Sequence, residues 1–490
     1  MPTQGPFGVT VRPEMITVPA RVLSGPVVKY RANGTANTKF GSWNMVDIKF
    51  TTGANIGAWS YIWLHLQHEN PPSGPRLPVV DVFHRALGTN GITAPPPIQP
   101  GLTCVLTNDS ATNDANISAA FDRISKHAKQ PKFMLVILAN TDAAIYNRVK
   151  YIGDVKTGIH TVCVVRTKFM EQRGQDRYFA NVALKFNLKG GGINQTLERG
   201  KLGVIGDGKT MVVGIDVTHP SPNSQKSAPS VAGIVATIDQ SLGQWPADIR
   251  IQQRREEMVL DLKGLLKGRL RLWKSKNSSY PDNLLIYRDG VSEGQYQLVL
   301  EKELPQLREA CAETYPANST KAGLPRISII IVGKRHHTRF YPTKEADADR
   351  SSNPKNGTIV DRGITEARNW DFFLQAHTGL QGTARPAHYF VILDEIFAKR
   401  PVPPGQTPAD ALEQLSHNLC YLFGRATKAV SICPPAYYAD LVCERARCYL
   451  HGMFNPATPS QSVASGQTQQ LHAESDVRIH DRLKDTMFYI

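Results

Sequence analysis

Two apolar runs in the sequence end in an aspartate: MVVGI leads into Asp216, and LLIYR leads into Asp289, which Gly290 follows. A carboxylate at the end of a buried strand is held rigidly and emerges at the sheet edge, which suits a hard cation that prefers oxygen ligands. Either one alone is more often an ordinary turn or helix-capping aspartate. A third acid, Asp440, stands in the helix-like run opened by Pro434 and Pro435, and a fourth, Glu257, is read as opening a long helix over REEMVLDLKGLLKGRLRLWKSK. An isolated acid on a helix is as a rule a solvated charge. As a set, these residues have the chemistry of a two-metal site, in which carboxylates hold two Mg²⁺ ions roughly 4 Å apart that activate a water and stabilise the leaving oxygen of a phosphodiester. Spacing along the chain does not by itself bring them together.

A second constellation is basic and aromatic. Tyr146 and Lys150 are four residues apart on one helical face, which makes either a common surface pair or one wall of a pocket for a phosphate and a stacked base. His336 and His337 adjoin in KRHHTR, but neighbouring strand residues point to opposite faces and no HxxxH or Cys partner lies nearby, which argues against a metal there. The sequence holds no GxxxxGK[ST] phosphate loop, and KGGGINQ is no dinucleotide fingerprint.

The elements that must position these residues alternate in type. Residues 1–40 are rich in Pro, Gly and Thr and read as a linker; the rest divides near residue 200, where the Gly-rich run KGGGINQTLERGKLGVIGDGKT intervenes. Over 41–200, AWSYIWLHL, LTCVLT, FMLVILAN and HTVCVVRTKF read as strands separated by helix-like runs such as VVDVFHRALG and DANISAAFDRISKHAK. That is the order of a small doubly wound, Rossmann-like domain. Over 201–490 a second alternating series follows, and 455–476, rich in Ser, Gln, Ala and Thr, reads as a mobile loop. The fold class expected is therefore α/β in two domains, as 490 residues and 54.1 kDa also suggest.

Composition narrows the partners. Residues 1–200 hold 22 basic and 12 acidic residues and 201–490 hold 35 and 30, so the first domain carries the stronger attraction for polyanions. The seven cysteines are scattered and never spaced CxxC, which suggests neither a disulfide framework nor a thiolate zinc site and fits a reducing compartment. No apolar run reaches the roughly 18 residues of a membrane span, and the opening residues lack a signal-peptide layout.

IDVTHP (215–220), IYRDGVSEGQ (286–295), KRHHTRF (334–340), GLQGTARPAHY (379–389) and PPAYYADLVCERAR (434–447) resemble, in order, the motifs of the PIWI domain of eukaryotic Argonaute proteins. IYNRVKYIGDVKTGIHTVCV (145–164) and VALKFNLKGGGINQ (182–195) resemble the family's MID domain. The likeness spans about 40–490 and leaves the family's N-terminal and PAZ domains without a counterpart, so the chain reads as the C-terminal half of a longer protein. Its divergent loops and Asp440 point to the quelling Argonautes of filamentous fungi.

The resemblance implies a Rossmann-like MID domain over 41–200 that binds a guide 5′ end, and a ribonuclease H-like PIWI domain over 201–490. It implies that Asp216, Asp289 and Asp440 hold Mg²⁺, for which Mn²⁺ may substitute, with Glu257 completing a catalytic tetrad. Many members have His where Asp440 stands; a carboxylate is at least as good a Mg²⁺ ligand, so the site reads as active. It further implies a 5′-phosphate pocket of Lys150, Lys189 and Thr161 with Tyr146 stacked on the first base, approached by Arg445 and Ile490, and a base-facing loop over 139–144. Lys334, Arg335, His336, Arg339, His377 and Arg385 fall on guide-phosphate contacts. The expected activity is guided cleavage of complementary RNA in the cytoplasm, with a small guide RNA, a target RNA and silencing-complex proteins as partners and no membrane. A guide-binding scaffold that represses without cutting, and a ribonuclease H-like DNA-processing enzyme, are the competing classes; the phosphate pocket argues against the second.

Overall fold

The computed structural model describes residues 3–4, 8, 10–11, 13–36, 38–46, 48–69, 77–317, 323–402, 404–454 and 477–490. The segment 455–476, expected to be mobile, lies outside them. A short strand β1 (Arg21–Val22) lies in the N-terminal segment. A four-stranded parallel sheet follows, built from β2 (Trp59–Leu66), β3 (Leu102–Leu106), β4 (Phe133–Leu138) and β5 (His160–Val165) in the order β3-β2-β4-β5. Strand β4, FMLVIL, is buried along its whole length, as expected of an inner strand covered on both faces, whereas LTCVL at the edge alternates buried and exposed. Helices α1 (Pro78–Thr89), α2 (Ser110–Ser125), α3 (Ala143–Tyr151) and α4 (Gln175–Lys189) cover it. Helix α4 has no counterpart among the sequence-based expectations. A π-helical turn, Ile152–Thr157, prolongs α3.

The second sheet has nine strands. In chain order they are β1 and then β6 (Thr210–Thr218), β7 (Ser230–Ala236), β8 (Ala247–Gln252), β9 (Asn283–Asp289), β10 (Arg326–Gly333), β11 (Thr358–Val360), β12 (Trp370–Gln375) and β13 (Ala387–Leu393). Their spatial order is β8-β7-β6-β9-β10-β13-β12-β11-β1. An antiparallel β6-β7-β8 meander continues into the parallel neighbours β9 and β10. Helices α5 (Leu262–Lys276) and α6 (Leu304–Thr314) lie on one face, α8 (Pro434–Tyr449) on the other, and α7 (Pro408–Leu419) precedes α8.

The period of two along a strand decides which residues meet α8. On β6, Met211, Val213, Ile215 and Val217 join the core under α5 and α6, while Val212 belongs to the core shared with α8. On β9, Leu284 and Ile286 face α5 and α6, and Leu285 and Tyr287 face the other way. Asp216 and Asp289 therefore fall on the α8 side of the sheet.

Two sequence-based expectations change. The supposed linker 1–40 is tied into the fold: β1 pairs with β11, Arg21 bonds Asp361, Asp410 and Glu413, and Val28 and Tyr30 are buried. Glu257 does not open a helix. The helix starts five residues later, because the Asp261 side chain accepts a hydrogen bond from Gly264 N at 3.0 Å and caps it there.

Candidate active site and nucleic-acid interface

Residue register sets the carboxylates side by side. Ile215 pairs with Arg288 across the parallel β6–β9 ladder, so Asp216 and Asp289 leave the sheet together at its C-terminal edge. Gly214 lets α8 close over them: a Cβ there would overlap the Pro435 carbonyl at the start of the helix. The Cys443 thiol donates to the Asp216 carbonyl at 3.4 Å, which brings Asp440, one turn earlier on α8, over the strand ends. Burial raises the pKa of Asp216. It holds Asp289 well above the usual range, with Asp216 and Asp440 adding to the effect. Burial, then the charges of Asp216 and Glu444, push Asp440 up to about 7.

Glu257 reaches this edge from the loop between β8 and α5. Its Oε2 lies 2.7 Å from His219 Nε2, and its Oε1 accepts from Arg288 at 3.0 Å. The other ring nitrogen of His219 lies 2.8 Å from Ser230 Oγ, which also accepts from Arg255 N at 2.8 Å. Arg288, fully buried, bonds Glu303 as well, so the glutamate is held from two sides. Gly290, at φ +84°, turns the chain away beside it; a Cβ there would stand 3.2 Å from Asp216 Oδ1 and 4.0 Å from Glu257 Oε1. The sequence offered no sign of His219 or Arg288 as supports, since neither residue type at a strand end is distinctive.

Among the described residues no set of three or more His, Cys, Asp or Glu side chains already stands in a metal-holding arrangement. The donor chemistry fits a hard divalent cation nonetheless. All the candidate ligands are carboxylates, two on rigid strand ends and one on a packed helix; burial raises the pKa of all three, and Asp216 adds to the rise of Asp289 and Asp440, a cost that a bound cation would relieve.

At the other end of α8 lies a cluster of buried cations. Lys150 Nζ sits 5.2 Å from the centre of the Tyr146 ring and donates to the Thr161 hydroxyl at 2.9 Å and carbonyl at 2.8 Å. Thr161 thus aims the lysine. Lys189 donates to the Phe488 carbonyl, and Arg445 to the carbonyls of Phe488 and Tyr489 at 2.9 and 3.0 Å, which draws the last residues, Ile490 included, against the cluster. Burial, Arg445 and Lys150 drive the Lys189 pKa well below its ordinary value. Lys185, absent from the sequence-based expectations, lies one turn before Lys189 and is pushed down to about 8 by burial, Arg425 and Lys150. Asp154 in the π turn, also unanticipated, accepts from Arg445 at 2.7 Å and Tyr449 at 2.9 Å. Among the described residues, Asp154 is the one fully buried side-chain carboxylate beside Arg445 and Lys189, so the cluster of four cations is electrostatically short of an anion. In the loop 139–144, Asp142 is spent as the cap of α3, accepting from Ala144 N and Ile145 N.

The KRHHTR motif is dispersed. Lys334 bonds the Ser431 hydroxyl, and Ser431 and His377 line a cavity of about 630 Å³ together with Lys39, Arg177, Arg350 and Lys428. Burial and the neighbouring Lys334 and Lys428 push His377 down to about 4, so it is neutral near pH 7. His336 bonds the Pro386 carbonyl at 3.0 Å. Arg339 is turned onto the carbonyls of His336 and Thr338 and lines a different cavity, beside β1. Arg385 and Arg335 are exposed.

The sequence pattern of the Piwi domain matches residues 133–451. The chain belongs to the Argonaute family, and its larger sheet is a ribonuclease H-like PIWI fold. It is 34% identical to protein argonaute 5 of Arabidopsis thaliana over 99% of its own length and 48% of that protein, and 33% identical to protein argonaute MEL1 of Oryza sativa subsp. japonica over 99% and 46%. The chain thus spans about half the length of the curated relatives it matches. Among solved structures, the C-terminal lobe of a budding yeast Argonaute superposes with a TM-score of 0.77 at 27% identity, covering 96% of this chain and 95% of that one. Kluyveromyces polysporus Argonaute with a guide RNA gives 0.80 at 28%, covering 98% and 57%. The MID-PIWI domains of N. crassa QDE-2 give 0.62 at 34%, covering 90% and 100%. Identity to protein argonaute 5 of Arabidopsis thaliana and to the N. crassa protein is the same 34%, so it does not single out the filamentous-fungal subgroup.

Proposed function

We propose that the chain anchors a small guide RNA by its 5′ phosphate in the MID cation cluster and cuts the paired target RNA at the PIWI carboxylates, within RNA silencing of the quelling type in the cytoplasm. The observation that supports this most directly is the pair Asp216 and Asp289 at one edge of the sheet with Asp440 on the helix packed over it, Asp216 raising the pKa of both others and Asp440 that of Asp289. Mg²⁺, or Mn²⁺ in its place, would be held by these acids and would supply the activated water and the stabilised leaving oxygen. Glu257, fixed by His219 and Arg288, orients the water at the edge of that site. Lys150, Lys185, Lys189 and Arg445 neutralise the guide phosphate, Tyr146 offers its ring to the first base, and sequence is read by base pairing.

Single-turnover cleavage of a paired target tests the catalytic half of the reading. Asp440→Ala is expected to abolish cutting while leaving guide affinity unchanged. Cutting by Asp440→Ala at the wild-type rate would make Asp440 a structural helix charge and overturn the two-metal assignment, whereas no cutting by the wild type would leave the competing reading, a guide-binding scaffold. For the anchor, Lys150→Ala and Tyr146→Ala are expected to weaken a 5′-phosphorylated guide far more than the same RNA with a 5′ hydroxyl. Equal losses for the two would reduce the cluster to a nonspecific basic patch.

A further inference from the structure

We propose that the turn Lys39–Ser42 is a contact for the unpaired guide strand, in which the Phe40 ring stacks on a base a few nucleotides from the 5′ end while Lys39, Arg177, Arg350 and Lys428 hold the phosphates around it. The inference rests on the guide-anchoring reading above and assigns residues that it leaves out.

The backbone carries the first observation. Lys39 and Ser42 exchange two main-chain hydrogen bonds at 2.9 Å, which closes a two-residue loop with Phe40 at φ +49° and Gly41 at φ +69°. Such a loop needs positive φ at both central residues, which Asn or Gly accepts readily and a residue as bulky as Phe does not. Nothing local offsets the strain. Phe40 is 47% exposed, and among the described residues its ring stacks on no other ring and meets no cation. A strained backbone that displays an apolar side chain without burying it points to a ligand that covers the ring from outside.

The surroundings carry the second observation. Phe40 lines the cavity of about 630 Å³ that holds His377, together with Leu380, itself 78% exposed. The Thr378 hydroxyl donates to the Phe40 carbonyl at 2.8 Å and ties the two segments to each other. The four cations come from separate parts of the chain: Lys39 from the turn, Arg177 from α4, Arg350 from the loop between β10 and β11, and Lys428 from the segment before α8. Among the described residues none of their side chains makes a hydrogen bond or ion pair, and no acid lines the cavity. Unpaired cations around exposed apolar side chains suit a single nucleic-acid strand, which is charged along its backbone and presents a π-face at each base.

The helices fix where along the guide this contact falls. Helix α4 carries Arg177 at the cavity and Lys189 at the anchor, and α8 carries Tyr437 at the cavity and Arg445 at the anchor. At 1.5 Å per residue those separations are about 18 and about 12 Å, which roughly four to five stacked nucleotides span.

Equilibrium binding of a 5′-phosphorylated single-stranded RNA, carrying 2-aminopurine at one position in turn from the second to the eighth, tests this, because that base loses fluorescence when it stacks. At one position the emission is expected to fall about threefold on binding to wild type, and Phe40→Gly to remove that fall. Phe40→Gly should also weaken guide binding about tenfold, with Phe40→Tyr near wild type. Glycine adopts φ +49° without strain, so the urea midpoint of Phe40→Gly should stand at or above that of wild type, which separates the loss from unfolding. Lys39→Ala and Arg177→Ala should each lower the slope of log affinity against log salt by about 0.7, whereas Phe40→Gly leaves the slope unchanged. Wild-type affinity and unaltered emission in Phe40→Gly would overturn the proposal, and a lowered urea midpoint with them would make the ring a packing residue. If wild type holds a 5′-phosphorylated guide in preference to a 5′-hydroxyl one while Phe40→Gly behaves as wild type, only the Phe40 assignment falls; if wild type shows no such preference, the anchor reading falls and takes this one with it.

Discussion

A carboxylate at the end of a buried strand costs stability unless something compensates it, and here two such groups share one edge with a third carboxylate on the helix packed over them. Position 440 is where the chain differs from members with His, and it can be probed by substitution. Asp440→His is expected to retain partial single-turnover cleavage and Asp440→Asn to fall well below wild type, because the amide keeps one oxygen but loses the charge. The guide pocket has its own titration. Lys185, at about 8, is protonated at pH 7 and attracts the phosphate; as pH rises through 8 to 9 it loses that charge, and the lowered Lys189 acts in the same direction. Preference for a 5′-phosphorylated over a 5′-hydroxyl guide should therefore decline in filter-binding assays over that window, and Lys185→Arg should flatten the decline. The four acids could be picked out in the sequence because two terminate apolar strands, three lie in the family motifs, and Glu257 falls on the family's remaining tetrad position. Lys185 and Asp154 could not, because a lysine on an amphipathic helix and an aspartate near a turn look alike whether solvated or buried. Only the packing of α8 and the last residues of the chain against them gives them a role.

Helix α8 is the element on which the site turns. It rests on β6 at Gly214, so Gly214→Val should force the helix off the strand at a cost of about 3 kcal/mol. Urea denaturation checks the loss of stability. In the fraction still folded, cleavage should fall further than guide binding, since Asp440 moves with the helix. The succession of strands along the chain and the start of α8 follow from apolar runs and Pro434-Pro435, which the sequence displays openly, whereas their spatial order does not. Nor does the start of α5. Apolar residues at 258, 259, 262, 265 and 266 keep a helical period across the true boundary, and only the cap at Asp261 stops it, releasing Glu257 into the loop where His219 and Arg288 take hold of it. Strand β1 escaped notice for the opposite reason, being two residues long within a Pro-rich run and held as much by Arg21 as by pairing.

At the scale of the whole molecule the two sheets share one continuous core, running from Phe186 and Leu188 through Trp245 to Tyr438 and Tyr489. Polar bonds cross the same boundary: Gln244 donates to the Leu188 and Gly192 carbonyls, and Asn194 to the Gly424 carbonyl. Asp154 is the charged link, fully buried and paired with Arg445. Asp154→Ala leaves that arginine buried without its partner and should destabilise the protein by about 3 to 5 kcal/mol in urea denaturation, lowering both domains in one transition. The cluster that Asp154 helps to hold draws Lys150, Lys185 and Lys189 from one side of residue 200, and Arg445 with the backbone of 488–490 from the other. A protein cut near residue 200 to isolate the smaller domain would carry three of the four cations and lose the strands of main chain that close over them. Affinities measured on such a piece describe an open half-socket, and an exchange of this domain between relatives must carry the matching C-terminal residues with it.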